Sequence, residues 1–294
     1  MMLSSYNGEK YIEEQIDSIL EQKEVVVKLL VRDDGSYDST PQILERYKRQ
    51  GLLDYYVGEN IGWQRSFMDL TINSPDYDYY AFSDQDDFWK PEKLIEALKV
   101  LKTMQAGPKM YTSNVRYWEN GIDKGLSMSE SIRTDPYHSM LFCESFGCTM
   151  LFNKQLMDIV KNNPPKLTVS HDFWFMQVAS LFGTIFYDKE SYILYRQHGN
   201  NQLGYDKFFW EKTKRRFRFY MNLSHYHIRE RQAQELLTCY GHLMSPEARE
   251  IVSNVAYYRT SFRRFITLLF SRKYTHDNFI TNLGLKYRVL LHRI

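Results

Sequence analysis

The chain is poor in the features that mark disulfide scaffolds, zinc modules and membrane spans. Only three of its 294 residues are cysteine, at 143, 148 and 239. An odd number without paired spacing excludes a disulfide framework and suits a reducing compartment. Cys143 and Cys148 lack a second Cys or His pair at zinc-finger spacing, so buried thiols are the expectation. No apolar run approaches the roughly 20 residues of a membrane-spanning helix, and no signal-peptide pattern opens the chain. Internal repeats and low-complexity tracts are also missing. The opening Met1-Met2-Leu3-Ser4-Ser5 reads as the end of a buried strand, so either the first strand is short or the N-terminus is truncated.

What remains is a folded, aromatic-rich chain: 43% hydrophobic, 25% charged, 16% aromatic. That is enough for one α/β core with an appendage. A net charge of +2 conceals an asymmetry. Residues 205–294 hold 17 of the 38 Lys and Arg but only 7 of the 36 Asp and Glu, which leaves 21 basic against 29 acidic residues before them. An acidic front and a basic tail predict regions with different partners.

Periodicity predicts strands alternating with helices. Ile12, Ile16, Ile19 and Leu20 give a helix over 9–22, and β-branched Val25 to Val31 a buried strand. Thr40-Pro41 starts another helix. Leu53–Val57, Tyr79–Ser83, Lys109–Tyr117 and Phe146–Phe152 read as strands, and Thr184–Tyr195 as one or two more. Helices are expected at Trp63–Thr71, from Pro91 to Leu101, up to about Asn162, and at Phe173–Leu181, with 118–141 a loop. The alternation implies a doubly wound, mostly parallel sheet. After Gly204 the pattern turns wholly helical, which places a boundary near residue 205.

Three polar clusters follow predicted strands: Ser4-Ser5-Tyr6-Asn7-Gly8, Asp33-Asp34-Gly35-Ser36 and Ser83-Asp84-Gln85-Asp86-Asp87. Open parallel sheets bind ligands outside the carboxyl ends of their strands, so the clusters should share one rim. Asp84, Asp86 and Asp87 crowd three carboxylates into four positions. Like charges that close repel unless a cation neutralises them, and hard oxygen ligands suit Mg2+ or Mn2+. A helix-capping acidic turn is the plainer alternative. The Asp33 cluster fits a type I turn or a carboxylate for a base or ribose, and Tyr6 a stacking ring or core.

In their order, these motifs resemble family-2 glycosyltransferases with the GT-A fold. The matching pieces are Tyr6-Asn7-Gly8-Glu9, Asp33-Asp34-Gly35-Ser36 with Asp38-Ser39-Thr40, Asn60-x-Gly62 and Ser83-Asp84-Gln85-Asp86-Asp87. Gly147 to Lys154, His171-Asp172-Phe173-Trp174 and Tyr195-Arg196-Gln197-His198-Gly199-Asn200-Asn201 complete them. The resemblance covers about residues 1–204, with a donor half at about 1–117 and an acceptor half at about 118–204. It points most to bacterial rhamnosyltransferases of cell-wall or capsular polysaccharide synthesis.

The resemblance implies roles. Asp86 and His198 would hold Mn2+ or Mg2+, with Asp84 at the metal or the ribose. Ser5, Tyr6, Asn7, Glu9, Asp34, Asn60, Arg65 and Gln85 would surround a nucleotide-sugar donor, dTDP-L-rhamnose or a UDP-hexose. Asp172 would be the general base of an inverting transfer, although His171 stands where relatives often have Glu. Gly147, Cys148, His171 and Trp174 would meet a polysaccharide or lipid-linked acceptor, with Trp63 and Trp89 as further sugar platforms or core.

The tail, 205–294, carries Lys212-x-Lys214-Arg215-Arg216-x-Arg218, Arg259-x3-Arg263-Arg264 and Arg272-Lys273 among aromatics. Basic amphipathic helices suit an anionic membrane surface, so a cytoplasmic protein peripheral on the inner face of the membrane is expected. Packing on the catalytic domain or in a homodimer is the alternative. Nucleic acid is not, because no nucleic-acid fold accompanies the clusters. Rival readings are a nucleotidyltransferase, for which the Gly-rich phosphate loop is missing, and a non-catalytic sugar-nucleotide-binding protein.

Overall fold

A computed structural model describes residues 1–127, 131–198 and 227–294. They form two compact units. One comprises Met1–Ile132, Glu144–Pro164 and 168–198, the other Arg133–Cys143, Pro165–Leu167 and 227–294. The expected boundary near 205 and the basic cluster at 212–218 lie outside the described residues, as do residues 199–201 of the last motif.

The first unit is a nine-stranded mixed sheet in the order β3-β2-β1-β4-β8-β6-β9-β5, with β7 paired to β6. The strands are β1 (Met2–Ser5), β2 (Leu30–Asp33), β3 (Asp54–Val57), β4 (Tyr79–Ser83), β5 (Phe88–Trp89), β6 (Lys109–Glu119), β7 (Ile122–Leu126), β8 (Leu151–Asn153) and β9 (Thr184–Arg196). Strands β3-β2-β1-β4 are parallel, and so is β6 with β9. Pairs involving β8, β7 and β5 are antiparallel.

Helices cover both faces: α1 (Ile12–Leu20), α2 (Thr40–Arg49), α3 (Trp63–Asn73), α4 (Lys93–Thr103), α6 (Lys154–Asn162) and α7 (His171–Phe182). Side chains alternate along a strand. Leu3, Val31, Ala81, Tyr111 and Leu151 therefore join Ile12 and Ile16 of α1, Leu44 of α2 and Leu94 of α4 in one buried cluster. Their neighbours Phe82 and Phe152 face the other way. Phe82 packs edge-on to Phe67 of α3 and Phe175 of α7, at 5.5 and 5.0 Å between centroids.

Several elements differ from expectation. The ladders from β2 to β1 and to β3 both begin at Leu30, so 25–29 lies outside the sheet and Val26 is exposed. Within 146–152, Gly147–Thr149 forms a 3-10 turn, closed where the Thr149 hydroxyl donates to Phe146 O, and only Leu151–Asn153 pairs as a strand. The expected loop at 118–141 contains β7, joined to β6 through Asn120 and Gly121, both at positive φ as a tight hairpin turn requires. Residues 184–196 are one strand, whose register against β6 shifts near Asn114.

The second unit is helical: α5 (Pro136–Ser139), α8 (Ile228–Tyr240), α9 (Pro246–Ala256), α10 (Phe262–Phe270) and α11 (Phe279–Leu290). Ser245 caps α9 by accepting from Ala248 N, with Pro246 at its first position. Leu236, Ile251, Val252, Val255, Leu268, Leu285 and Val289 are buried. Asn254 donates to the Tyr274 hydroxyl, which donates to Ile251 O.

Truncating Phe82, whose ring touches Phe67, Phe152, Phe175 and His171, leaves a cavity at the junction of β4, α3 and α7. Phe82→Ala should cost about 3–5 kcal/mol in urea unfolding. Val26→Ala, at an exposed position, should stay within about 0.5 kcal/mol of the parent.

Candidate active site

The three clusters do follow β1, β2 and β4, and their loops are laced together. Gln85 places its amide against the backbone of Tyr6: Oε1 accepts from Tyr6 N at 2.8 Å and the Ser5 hydroxyl at 2.9 Å, and Nε2 donates to Tyr6 O. A Cβ on Gly8 would sit 2.5 Å from Gln85 Oε1, so a larger residue there would push the Gln85 amide out of these bonds. Asn7, at φ 49°, donates its N–H to the Ser36 hydroxyl and accepts from Tyr37 N. Glu9 accepts from Ser39 N. The polar groups of Ser5, Asn7, Glu9 and Gln85 are thus committed to neighbouring loops. These bonds brace the rim. Tyr6 stays part exposed, its ring edge-on to Tyr37.

Asp33 bonds Ser36 through its N–H and hydroxyl, the turn reading of that cluster. Asp34 is buried and ion-paired with buried Arg32. It also accepts from Ile61 N and Gly62 N at 3.1 and 2.9 Å. Arg32 in turn holds Asp69 and Glu59 O, so Asp34 fixes loop 59–62. Asn60 accepts from Gly62 N within that loop, and Arg65 donates to the Thr168 hydroxyl.

The carboxylates after β4 divide. Asp86 accepts from, or pairs with, His198 Nε2 at 2.7 Å. His198 is stacked on Tyr11, with centroids 5.2 Å apart. Arg196, unassigned from the sequence, clamps this loop. Its Nε donates to Asp86 O and its backbone N–H to Asp87 Oδ1, its guanidinium pairs with Glu14, and it lies over Tyr11 and Trp118. Its only sequence signal was its place two residues before His198.

Asp87 is fully buried beside the Cys148 thiol, and its Oδ2 has no hydrogen-bond partner among the described residues. Burial, then the Asp86 and Asp84 charges, push its carboxyl well above the usual range. Burial, then Asp86 and Asp172, push Asp84 up to about 7. Beneath them the buried Lys93 ammonium lies 3.5 Å from the Trp89 ring centroid, brought down to about 7 by burial. Asp84, Asp87 and Cys148 offer ligand atoms within 4.8 Å of one another. Carboxylates held together with an orphaned oxygen fit a divalent cation. A soft thiol, itself pushed up by burial, does not suit Mg2+ or Mn2+. The hard donors of this rim are Asp84 and Asp86, with His198 beside them.

Asp172 sits in the first turn of α7, half-buried, with Oδ1 accepting from Phe173 N at 2.7 Å and from the Ser170 hydroxyl. Its charge acts on Asp84, which brings base candidate and carboxylate cluster to one place.

Of the expected acceptor-contacting residues and sugar platforms, Trp174, Cys148 and Gly147 are buried, as is Trp89. Trp174 packs in the core because α7 buries most of its length between sheet and α6. Trp63 stays part exposed. His171 is buried too, against Phe67 at 3.9 Å and Phe82 at 4.6 Å, and neither ring nitrogen has a hydrogen-bond partner among the described residues. A Cβ on Gly147 would collide with His171 Nε2, so the imidazole packs directly on the Gly147 backbone.

Burial lowers the His171 imidazole to about 4 from its ordinary 6.5. The folded protein holds it neutral, so its contribution is intact above pH 6.5 and lost as pH falls toward 4. Between pH 7 and 5 it should remove about 2 kcal/mol of stability. His171→Leu should flatten that part of the pH–stability curve measured by urea unfolding. An unchanged curve would contradict a buried neutral imidazole.

Comparison with known proteins agrees with this architecture. A profile for "Glycosyl transferase family 2" matches residues 2–204. The chain is 31% identical over 233 residues to the dTDP-rhamnosyl transferase RfbG of Shigella flexneri, covering 72% of this chain and 77% of that protein. Crystal structures of S. aureus TarS are similar in fold. The one of residues 1–349 in complex with UDP superposes with a TM-score of 0.58 at 18% identity, covering 92% of this chain and 72% of that one. The complex with UDP-GlcNAc gives 0.58 at 17%, covering 99% and 82%. The fold is α/β of the GT-A type with C-terminal helices, and the chain belongs to glycosyl transferase family 2, as a glycosyltransferase of the rhamnosyltransferase-like kind.

Proposed function

We propose that this enzyme transfers L-rhamnose from dTDP-L-rhamnose, with inversion, onto a surface polysaccharide or its lipid-linked precursor. The observation that carries the reading is the gathering of Asp84, Asp86, His198 and Asp172 on one strand-end rim. The likeness to RfbG supports rhamnose and dTDP. The nucleotides in the TarS complexes, UDP and UDP-GlcNAc, support a nucleoside-diphosphate donor and keep a UDP-hexose as the second reading.

In this reading residues 1–204 are the catalytic region, with the nucleotide over β1 and β2. Tyr6, part exposed, supplies a face for the base, and Asp34 a carboxylate edge shared with Gly62 N. Asp84, Asp86 and His198 are the residues to hold Mg2+ or Mn2+, which when bound neutralises charge on the leaving diphosphate. Without it their mutual repulsion would oppose a diphosphate.

Asp172 takes the proton from the acceptor hydroxyl. The Ser170 hydroxyl and Phe173 N, both on Oδ1, hold the carboxylate and leave Oδ2 for that proton. The acceptor oxygen attacks the anomeric carbon as its bond to the diphosphate breaks, and the nucleoside diphosphate leaves from the opposite face. One base and no enzyme nucleophile give inversion.

Asp172→Asn should lower kcat by about 10²–10⁴ with donor affinity unchanged. Asp86→Ala should abolish the dependence of transfer on added Mn2+ or Mg2+ along with most of the activity. Full turnover in the first variant removes Asp172 as base, and unchanged metal dependence in the second removes Asp86 as ligand. A donor screen favouring UDP-hexoses over dTDP-rhamnose would leave the site standing and change the sugar.

A further inference from the structure

The helix α11 is built inside out for an ordinary surface helix. Its buried residues are Thr281, Leu285 and Val289. Its exposed residues include Phe279, Ile280, Leu283, Tyr287, Leu290 and Leu291, with Phe279 at 76% and Leu283 at 60% of full exposure. At about 100° per residue these six positions fall in an arc of about 120° on the side opposite the buried ones. Folded chains seldom leave such a stripe in water, and where they do it meets a partner or a bilayer.

The neighbouring helix also exposes apolar side chains. Lys286 donates to Leu268 O of α10 at 2.6 Å and to Tyr274 O at 3.1 Å, which ties α11 to its neighbour. Helix α10 exposes Phe262 and Phe270. Between residues 257 and 294 the chain carries eight Lys and Arg and a single acidic residue, Asp277. Arg263 of α10, which pairs with Glu250 at 3.6 Å, and Arg272 and Lys273 after it are exposed.

We propose that the exposed face of α11, with α10 beside it, docks on a bilayer containing anionic phospholipid. Charge decides among occupants. A second copy would bring two strongly cationic surfaces together, which self-repulsion disfavours. Anionic headgroups answer the basic residues, and the acyl boundary takes the Phe and Leu side chains while Tyr287 sits at the level of the headgroups. Among the described residues no helix is long and apolar enough to cross a membrane, so the contact is in-plane. The inference stands on this face alone and is independent of which sugar is moved.

The test uses the full chain with vesicles of about 30% phosphatidylglycerol in phosphatidylcholine, against pure phosphatidylcholine. Sedimentation should show at least about tenfold tighter binding to the anionic vesicles, weakened by salt. Phe279→Ser with Leu283→Ser, both at exposed positions, should lower that binding about tenfold or more while thermal unfolding and nucleotide binding in vesicle-free solution stay as in the parent. Arg263→Glu should weaken binding to anionic vesicles only. Equal binding to both vesicle types, or full binding by the double variant, overturns the proposal. So does a dimer that the double variant breaks, which would make a second copy the occupant. A drop in melting temperature in the double variant without lipid also overturns it, because the face would then be covered by the chain's own residues. Lost nucleotide binding in the parent would contradict the proposed function and leave this surface untouched.

Discussion

Three carboxylates within four residues repel one another, and much of the first unit is arranged to hold them together. Burial and mutual charge drive Asp84 and Asp87 toward their neutral forms. The fold answers with fixed braces. Gln85 between two of the carboxylates is zipped to the Tyr6 backbone, and Arg196 grips the loop from the other side through Asp86 O and Asp87 Oδ1. Lys93 lies below on the Trp89 ring, where its charge partly answers Asp87. In the proposed reading the remaining repulsion is directed at the rim, where a cation and a diphosphate would complement each other.

The same constraint orders the rest of the site. The loop after β1 lies close against Gln85, with Gly8 leaving room for its amide, and it is pinned to the residues leading into α2 through Asn7, Gly8 and Glu9. The loop before α3 is pinned by Asp34 and Arg32. Helix α7 presents Asp172 at its first turn and buries His171 underneath, against Gly147. A polar residue in an apolar pocket is costly, and here it is kept neutral by that pocket.

Much of this was legible in the sequence. The three clusters lie at strand ends because short apolar runs stop at polar residues, and period-2 and period-3.6 patterns separate strands from helices. Less legible were features set by pairing partners far along the chain. The two-residue β5 exists because β9 lies beside it, and the short β8 because Gly147–Thr149 turns before it. Residue type alone could not separate rim from brace: Asn7, Glu9 and Gln85 are polar and near the site, yet their bonds run to neighbouring loops. Nor could it tell that Trp174 points into the core. In the second unit, basic clusters drew attention to 259–273, whereas the apolar stripe of α11 emerges only when burial shows which side of the helix is already used.

The central claim is that this rim is completed by a divalent cation and a nucleoside diphosphate together. Calorimetric titration of dTDP into the full chain, with Mn2+ and then with the cation chelated, tests it most directly. The account predicts at least about a tenfold loss of affinity on chelation, as expected when like charges are left to face one another. Equal affinity with and without the cation would contradict it.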